Sequence, residues 1–289
     1  MKNTPLWLKI LKWIVGIVIG LVLTVAVACI TIYFVYGINV FETVAQVNVL
    51  KQQVDETKYD NIFDQSDMQS AKVVVDQKIL GLVTYSEAEG YKINTTGLTS
   101  PLLGDLYLTD KQCGAILDCI IKQNGGIFVE VAGKKLPVQL LQIKFDNLVE
   151  KSVDFNVVVK IDFSPVKQDM TNQPMKTLSK YIPDNLYISA TSTITKNSGN
   201  FAYTITTKYL EINNLDNDQT ASFLKTLNKF TQIGDSVSLN QTVSNPIINA
   251  LIGNSESEGL AYCMKNVGAK DFDFVIKDGK IYFKVVHIL

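Results

Sequence analysis

The clearest pattern of the chain is an alternation of apolar and polar side chains between Ser152 and Phe163. Apolar residues fill every second position from Val153 onward, and polar or charged residues fill all but one of the positions between them. Side chains that recur with a period of two lie on one face of a strand. The segment therefore predicts a long β-strand with one buried face and one solvated face.

Similar patterns on either side predict further strands joined by tight turns. The polar turns NSGN and KDGK, each between two alternating segments, are typical of antiparallel hairpins. The strands predicted in this way are GGIFVEVAG and LPVQLLQIKFD before Ser152, NLYISATSTITK and FAYTITTKYLEI after it, and DFDFVIKDGKIYFKVVHI at the C-terminus. The segments KVVVDQKILGLVTY and GYKINTTG are predicted to be the first strands of the domain.

Apolar residues at helical spacing predict three helices among these strands. Thr109 and Gln112 form a capping box before the first helix, and Asp216 and Gln219 form another before the second. Pro246 is predicted to begin the third helix, because proline is favoured in a first turn. The glycines expected to end the three helices are Gly125, Gly234 and Gly253, and PMKTLSKYIP predicts a further short helix. These elements predict an α+β fold in which long curved antiparallel strands pack on a few helices.

The N-terminal region carries a segment long enough to span a membrane. Residues 14–36 are 23 residues without a charge, and at ~1.5 Å rise per residue such a helix crosses a hydrocarbon core of roughly 30 Å. Lys2, Lys9 and Lys12 precede the segment, and the next lysine is Lys51. The positive-inside rule therefore places residues 1–13 in the cytoplasm and the remainder outside. We expect a single-pass protein of the cell membrane with an extracytoplasmic C-terminal domain.

Cys29 admits two interpretations. It follows Ala26-Val27-Ala28, which resembles the small-residue pattern at which bacterial lipoproteins are cleaved and lipidated. Cleavage there would leave the apolar residues 30–36 stranded, and Ala26 stands where a leucine is usual. The favoured interpretation is an uncleaved spanning helix in which Cys29 is a small, inert residue; lipidation of Cys29 is the alternative.

The pattern beyond the span predicts the division of the chain. Apolar residues at helical spacing predict a stalk helix that runs to about Glu56, and a polar, acidic stretch follows it. Residues 37–71 are therefore expected to form a stalk and linker, and residues 72–289 the extracytoplasmic α+β domain. The segments LTDKQCGAILDCI and LDNDQTASFLKTL share a capping box and an apolar pair. Two similar halves, about 100–170 and 174–289, are therefore an alternative to one unit.

Composition argues against several classes of function. All 27 basic residues are lysine, the formal net charge is -1 and no basic stripe is present, so nucleic acid is not an expected partner. His287 is the only histidine and lies in a strand pattern, where it is expected to be a residue of the strand face. Ser-His-Asp and Cys-His nucleophile systems would need this one histidine, and zinc sites usually need more than one histidine or a cysteine cluster. We expect no catalytic residue, no metal and no cofactor, and therefore no enzyme. Lysine in place of arginine, with abundant asparagine and isoleucine, also suggests an AT-rich genome, such as that of a Gram-positive bacterium.

Three cysteines lie beyond the predicted span. Cys113, Cys119 and Cys263 include no CxxC motif that would indicate a redox or zinc site. Cys113 and Cys119 are six residues apart and hence roughly 240° apart around a helix, so they are not expected to pair. A disulfide from Cys263 to either of them and a set of free thiols both remain open.

The order of these segments resembles a known family. An anchor followed by LYLTDKQCGAILDCI, VDFNVVVKIDF and LSKYIPDNLYISATSTITKNSGNFAYTITTKYLEI is similar to the YpmS-type membrane-anchored proteins of Gram-positive bacteria. Beyond them, it is similar to the tubular lipid-binding, TULIP-like superfamily. The resemblance covers about residues 100–289 and rests on element order rather than on a diagnostic motif. It implies a helix laid along the inside of a curved sheet, with an elongated lipid-binding groove.

Apolar surface is the remaining candidate for function. Alternating strands and one-sided helices normally fill a core, but helices on a curved sheet can also leave a groove. The groove residues predicted on this basis are Phe155, Val157, Val159, Phe223, Leu227 and Ile247. We expect a non-catalytic protein that binds or shuttles a lipid or another apolar cell-envelope molecule. The alternative is an envelope scaffold that binds a protein partner in secretion or wall assembly.

Overall fold

The computed structural model describes residues 40–131, 134–162, 164–165, 183–228, 235–255 and 258–288. The predicted cytoplasmic tail 1–13, the predicted span 14–36 with Cys29, and residues 174–182 of the predicted short helix lie outside these ranges. Among the described helices, none combines the length and the apolar character that a membrane crossing requires.

Five helices and ten strands are described in these ranges. The helices are α1 (Val40–Leu50), α2 (Gln65–Asp76), α3 (Asp110–Gln123), α4 (Asn217–Asn228) and α5 (Ser236–Leu251). The strands are β1 (Val83–Ser86), β2 (Gly90–Ile93), β3 (Leu106–Thr109), β4 (Ile127–Val131), β5 (Lys134–Val149), β6 (Ser152–Asp162), β7 (Asn185–Lys196), β8 (Tyr203–Ile212), β9 (Ala269–Lys277) and β10 (Lys280–His287). Two 3-10 turns, Glu56–Lys58 and Tyr262–Val267, complete the elements.

The strands form one large sheet and two small ones. The large sheet has the order β4-β5-β6-β7-β8, and every pair of neighbours in it is antiparallel. It curls into a half-barrel. The second sheet has the order β3-β10-β9, and β1 with β2 forms a separate hairpin. The predicted α+β class with long curved antiparallel strands is confirmed, as are the long strand at β6 and the hairpins β7–β8 and β9–β10.

The inner face of the large sheet carries the core. On β6 the alternating side chains Val153, Phe155, Val157, Val159 and Ile161 are all buried in one continuous cluster with residues of the helices. The outer face of the same strand carries polar side chains, with Val158 as the apolar exception that the alternation contains. A period-two pattern thus produces the one-sided strand that it predicts.

A β-bulge between β7 and β8 is filled by a side chain of α5. The register shifts between Thr191 and Ser192, and Asn240 lies against this point, where its Nδ2 donates to the carbonyl oxygens of Thr191 (2.9 Å) and Tyr209. Its Oδ1 accepts from the hydroxyl of Ser192 at 2.8 Å. Backbone carbonyls that a bulge leaves unpaired would be costly in a buried place, so Asn240 stabilises the curl of the sheet.

Residues 54–63, which we call the strap, cross the outer face of the large sheet. The sequence predicts that the stalk helix runs to about Glu56, into the start of the strap, but this prediction is wrong, because α1 ends at Leu50. The Leu50 carbonyl accepts a 2.6 Å hydrogen bond from the buried side chain of Asn213, which holds the helix end against the sheet. Val54 and Tyr59 then pack on Val158 and Tyr187 of the outer face.

Charged and polar contacts fix the strap along its length. Glu56 pairs with Lys160 of β6 at 2.6 Å, and Asp60 pairs with Lys144 of β5 at 2.9 Å. Ile62 forms a bridge with Gln142 of β5. Over residues 40–71, the expected stalk and linker is therefore part of the folded unit, and Val47, Leu50, Met68 and Ala71 belong to the main core.

Two further secondary-structure predictions are corrected. The third helix begins at Ser236, with Asp235 as its N-cap, and Pro246 lies inside it rather than at its start. Burial of one side of α5 against the sheet outweighs the cost of an internal proline, which is about 3 kcal/mol. Residues 72–76, predicted as strand, are the last turn of α2, and the extended structure starts only at Val83.

The arrangement of the helices bears on the alternative of two halves. The two capping-box helices are α3, which precedes the long strands β5 and β6, and α4, which follows β7 and β8. The described elements therefore do not repeat in the same order, and a division into similar halves stays a prediction.

Candidate ligand-binding groove

The candidate site is built around α3. Its start is fixed as the sequence predicts, because Thr109 Oγ1 accepts from the Gln112 backbone N–H at 3.2 Å and Gln112 Oε1 accepts from the Thr109 N–H at 2.9 Å. The buried face of the helix, which includes Cys113, Ile116 and Leu117, packs into the core. The opposite side of α3, from Ala115 to Gln123, is left to form one wall of a cavity.

A groove of about 870 Å³ lies between α3 and strands β4 and β5. We call it the α3 groove. This volume falls in the range of about 300–1,000 Å³ that is typical of small-molecule sites. Its apolar lining consists of Phe63, Met68, Tyr91, Ala115, Cys119, Ile127, Phe128, Pro137, Val138, Leu140 and Leu141. Of the groove residues predicted from the sequence, none whose side chain the structure describes is among the residues that line the α3 groove.

Four of the five charged residues that line the α3 groove form two ion pairs, and the fifth, Asp64, caps the start of α2. Lys92 contacts Glu89 at 2.6 Å, and Lys122 contacts Asp118 at 2.6 Å. Because each cation already has an anionic neighbour, the rim offers polar contacts without a strong net charge. A ligand with an apolar body and a polar or zwitterionic end matches this distribution.

Two aromatic rings stand near the ends of the α3 groove, and each lies against a glycine. The ring of Phe63 lies so close to Gly114 that a Cβ on that glycine would be 2.4 Å from ring atom Cδ1. The ring of Phe128 lies near Gly126, where a Cβ would be 3.1 Å from Cε2. Gly114 occupies the interior of α3, where glycine costs about 1 kcal/mol relative to alanine. The close approach of the Phe63 ring explains why a glycine is there.

Cys119 places a thiol in the wall of the α3 groove. Its Sγ donates to the Tyr91 carbonyl oxygen at 3.2 Å. Burial, and to a lesser degree the neighbouring Asp118, raises the pKa of this thiol, so it stays protonated at neutral pH. The thiol is therefore a weak nucleophile and behaves as a small apolar lining group.

The other two described cysteines are also free. Cys113 is fully buried, and burial raises the pKa of Cys263 to about 12. The disulfide from Cys263 to Cys113 or Cys119, which the sequence left open, is not formed.

The groove residues predicted from the sequence lie in the packed core. Phe155, Val157, Val159, Phe223 and Ile247 belong to the same core cluster and are 0–2% exposed. The side chain of Leu227 lies outside the part that the structure describes. These side chains fill the space between the sheet and the helices, so a ligand would reach them only if the helices moved away. Their role in ligand binding stays a prediction.

A second, polar pocket of about 450 Å³ lies on the outer face beside the strap. The polar side chains that line this pocket form hydrogen bonds with one another: Gln142 Nε2 donates to Asn156 Oδ1 at 2.9 Å. Asn156 Nδ2 in turn donates to the hydroxyls of Ser189 and Thr191, both at 2.9 Å. These paired polar groups stabilise the solvated face of the sheet and favour the α3 groove as the functional site.

The described residues contain no group of three or more histidine, cysteine or acidic side chains arranged to hold a metal ion. Comparison with protein-family models, with characterised proteins and with solved structures finds no match to the chain.

Proposed function

We propose that this protein binds or shuttles an amphipathic lipid, or another apolar molecule of the cell envelope, in the α3 groove. The observation that carries the proposal is a cavity of about 870 Å³ whose walls are mainly apolar and whose two lysines are both paired with acidic neighbours. Apolar walls bind through burial, and charges that are already paired lose little when a neutral chain enters.

The size of the α3 groove suits a single apolar chain. The wall that α3 contributes extends from Ala115 to Gln123. At the usual rise per residue, these eight steps correspond to a length of about 12 Å. Each methylene that is buried along this wall contributes about 0.8 kcal/mol. A chain that fills the groove would therefore bind firmly without any specific polar contact.

The proposed location follows from the sequence of the N-terminal region. A spanning helix over 14–36 with a cytoplasmic tail would hold the α+β domain at the outer surface of the cell membrane. A domain held there meets membrane lipids at high local concentration, because the tether makes the encounter intramolecular. The resemblance to YpmS-type and TULIP-like proteins agrees with this role.

The proposed action is binding without catalysis. Among the residues that line the α3 groove, the thiol of Cys119 is protonated, and the amines of Lys92 and Lys122 are held in ion pairs with Glu89 and Asp118. His287 lies at the end of β10, where its ring is near Gly268, and it is not a lining residue of the groove. The chemistry of the lining therefore favours a carrier over an enzyme.

The test is the recovery of a ligand with the protein. The full-length chain is purified from a cellular host in mild detergent, and native mass spectrometry with lipid extraction measures what is bound. We expect one co-purifying lipid per chain. In Cys119→Trp an indole would occupy the α3 groove, so the bound lipid should be lost. In the control Gln241→Trp, at an exposed position of α5, it should remain.

Two results would count against the proposal. Wild-type protein that is repeatedly empty would favour the alternative of an envelope scaffold with a protein partner. A lipid that is retained equally in Cys119→Trp, with unchanged thermal stability, would show that the binding site lies elsewhere.

A further inference from the structure

We infer that Phe63 closes one end of the α3 groove and thereby sets the length of the apolar chain that the groove accepts. Phe63 is a lining residue, and its ring lies across Gly114, at the N-terminal end of the helix wall. The inference rests on the proposed function, because an end wall limits a ligand only if the groove binds one.

The position of Phe63 is fixed by hydrogen bonds of its own backbone and of the residues directly before and after it. Its backbone N–H donates to the Leu141 carbonyl oxygen of β5 at 3.4 Å, and the preceding Ile62 forms a bridge with Gln142. The following residue, Asp64, is the N-cap of α2 and forms a capping box with Asp67. The ring is therefore held between the end of the strap and the start of a helix, and a ligand does not displace it easily.

The opposite end of the α3 groove is built differently. Phe128 lies on β4, which is an edge strand of the large sheet, and its side chain is 38% exposed. The adjacent Lys122 and Gln123 are also exposed. At the Phe63 end the exposed carboxylate of Asp64 already accepts from two backbone N–H groups of α2, whereas the Lys122 amine at the Phe128 end is 74% exposed, so the polar end of an amphipathic ligand belongs here. The terminal methyl group of its chain then points toward Phe63.

The lack of a Cβ at position 114 supports this function for the ring. An alanine at position 114 would force the Phe63 ring away from α3, whereas glycine lets the ring pack directly against the helix backbone. The contact therefore forms a closed wall between α3 and β5 at the level of Leu141.

The test measures how affinity depends on chain length. The probes are saturated fatty acids of increasing length, added to the delipidated full-length chain in amphipol. Binding is read as protection of Cys119 from N-ethylmaleimide by site-resolved mass spectrometry, in alkaline buffer above about pH 8.5, because the pKa of this thiol is raised above its ordinary value. The buried Cys113 serves as an internal control for unfolding.

In wild-type protein we expect affinity to rise about fourfold per added methylene until the chain reaches Phe63, and then to stop rising. In Phe63→Ala the rise should continue to longer chains, and Phe63→Leu should shift the limit by less while it keeps the site apolar. Phe128→Ala, at the open end, should leave the limit where it is in wild type.

The outcomes separate this inference from the proposed function. If fatty acids protect Cys119 but the limiting length is the same in wild type, Phe63→Leu and Phe63→Ala, the end-wall inference is overturned and the lipid-binding proposal stands. If no fatty acid protects Cys119 in any folded variant, the end-wall inference is overturned, and the proposed function is decided separately by the lipid that co-purifies with the full-length chain.

Discussion

Replacement of Gly114 by alanine tests the contact on which the shape of the α3 groove depends. Alanine in a helix interior is about 1 kcal/mol more favourable than glycine, so on propensity alone Gly114→Ala should stabilise the protein. The added Cβ would, however, lie 2.4 Å and 2.8 Å from two atoms of the Phe63 ring, and overpacking of this kind typically costs about 1–3 kcal/mol.

The two effects predict a change of sign between backgrounds. In wild type, Gly114→Ala should lower the free energy of unfolding by about 1 kcal/mol, since the clash exceeds the gain in propensity. In Phe63→Ala the ring is gone, and the same substitution should raise stability by about 1 kcal/mol. The coupling energy is then about 2 kcal/mol, as expected for residues in direct contact.

The assay is thermal unfolding of the full-length chain by circular dichroism, with the four proteins of the double-mutant cycle in one detergent. A change of about 1 kcal/mol corresponds to a shift of about 2–4 °C for a domain of this size. A rise in melting temperature in both backgrounds would refute the reasoning, because it would show that the Phe63 ring does not constrain position 114.

Two other predictions concern the strap and the bulge. Hydrogen bonds from Lys160 and from Tyr187 lower the pKa of Glu56 from its ordinary value of 4.5. The ionised carboxylate therefore stabilises the fold at a pH above that ordinary value, and this contribution is lost as the pH falls through the lower pKa of the folded state. Hydrogen exchange of the strap amides should therefore be faster in Glu56→Gln than in wild type at neutral pH, and the difference should vanish well below pH 4.5. A difference that persists at low pH would show that the charge of Glu56 is not what stabilises the strap. Asn240→Asp removes the amide group that donates to two backbone carbonyls of the bulge. In urea unfolding this substitution should lower the free energy of unfolding by about 2–3 kcal/mol. The control Gln241→Ala, at the next residue and on the exposed side of α5, should change it by less than about 0.5 kcal/mol.

The elements that the sequence predicts well are those whose signals are local. The strand β6 follows from its own alternation, and the start of α3 follows from Thr109 and Gln112, because the partners of a capping box lie within four residues. The start of α5 was missed because proline is favoured in the first turn of a helix. Pro246 is therefore interpreted as the start of the helix, although it lies inside it. The buried stripe Leu239, Val243, Ile247 and Leu251 carries the helical spacing that would have extended it.

The site depends on contacts that no local pattern contains. The α3 groove brings together Phe63, Ala115 and Leu140, which are far apart in the chain. Alternation shows that Phe155 is buried, but a filled core and an open groove produce the same alternation. The one local signal was Gly114, a glycine inside an otherwise favourable helix, which indicates a close approach without naming the partner.

The strap has a consequence for the mechanics of the half-barrel. It is bonded to β5 through Asp60 and Lys144, to β6 through Glu56 and Lys160, and it continues from a helix end held by Asn213 beyond β8. The distances between these points on the convex surface change whenever the sheet bends or flattens. A segment bonded at each of these points therefore fixes the radius of curvature, and with it the width of the α3 groove, which the last strap residue, Phe63, helps to line. Cutting the chain within the strap would leave every strand in place and yet release the curvature that gives the cavity its size.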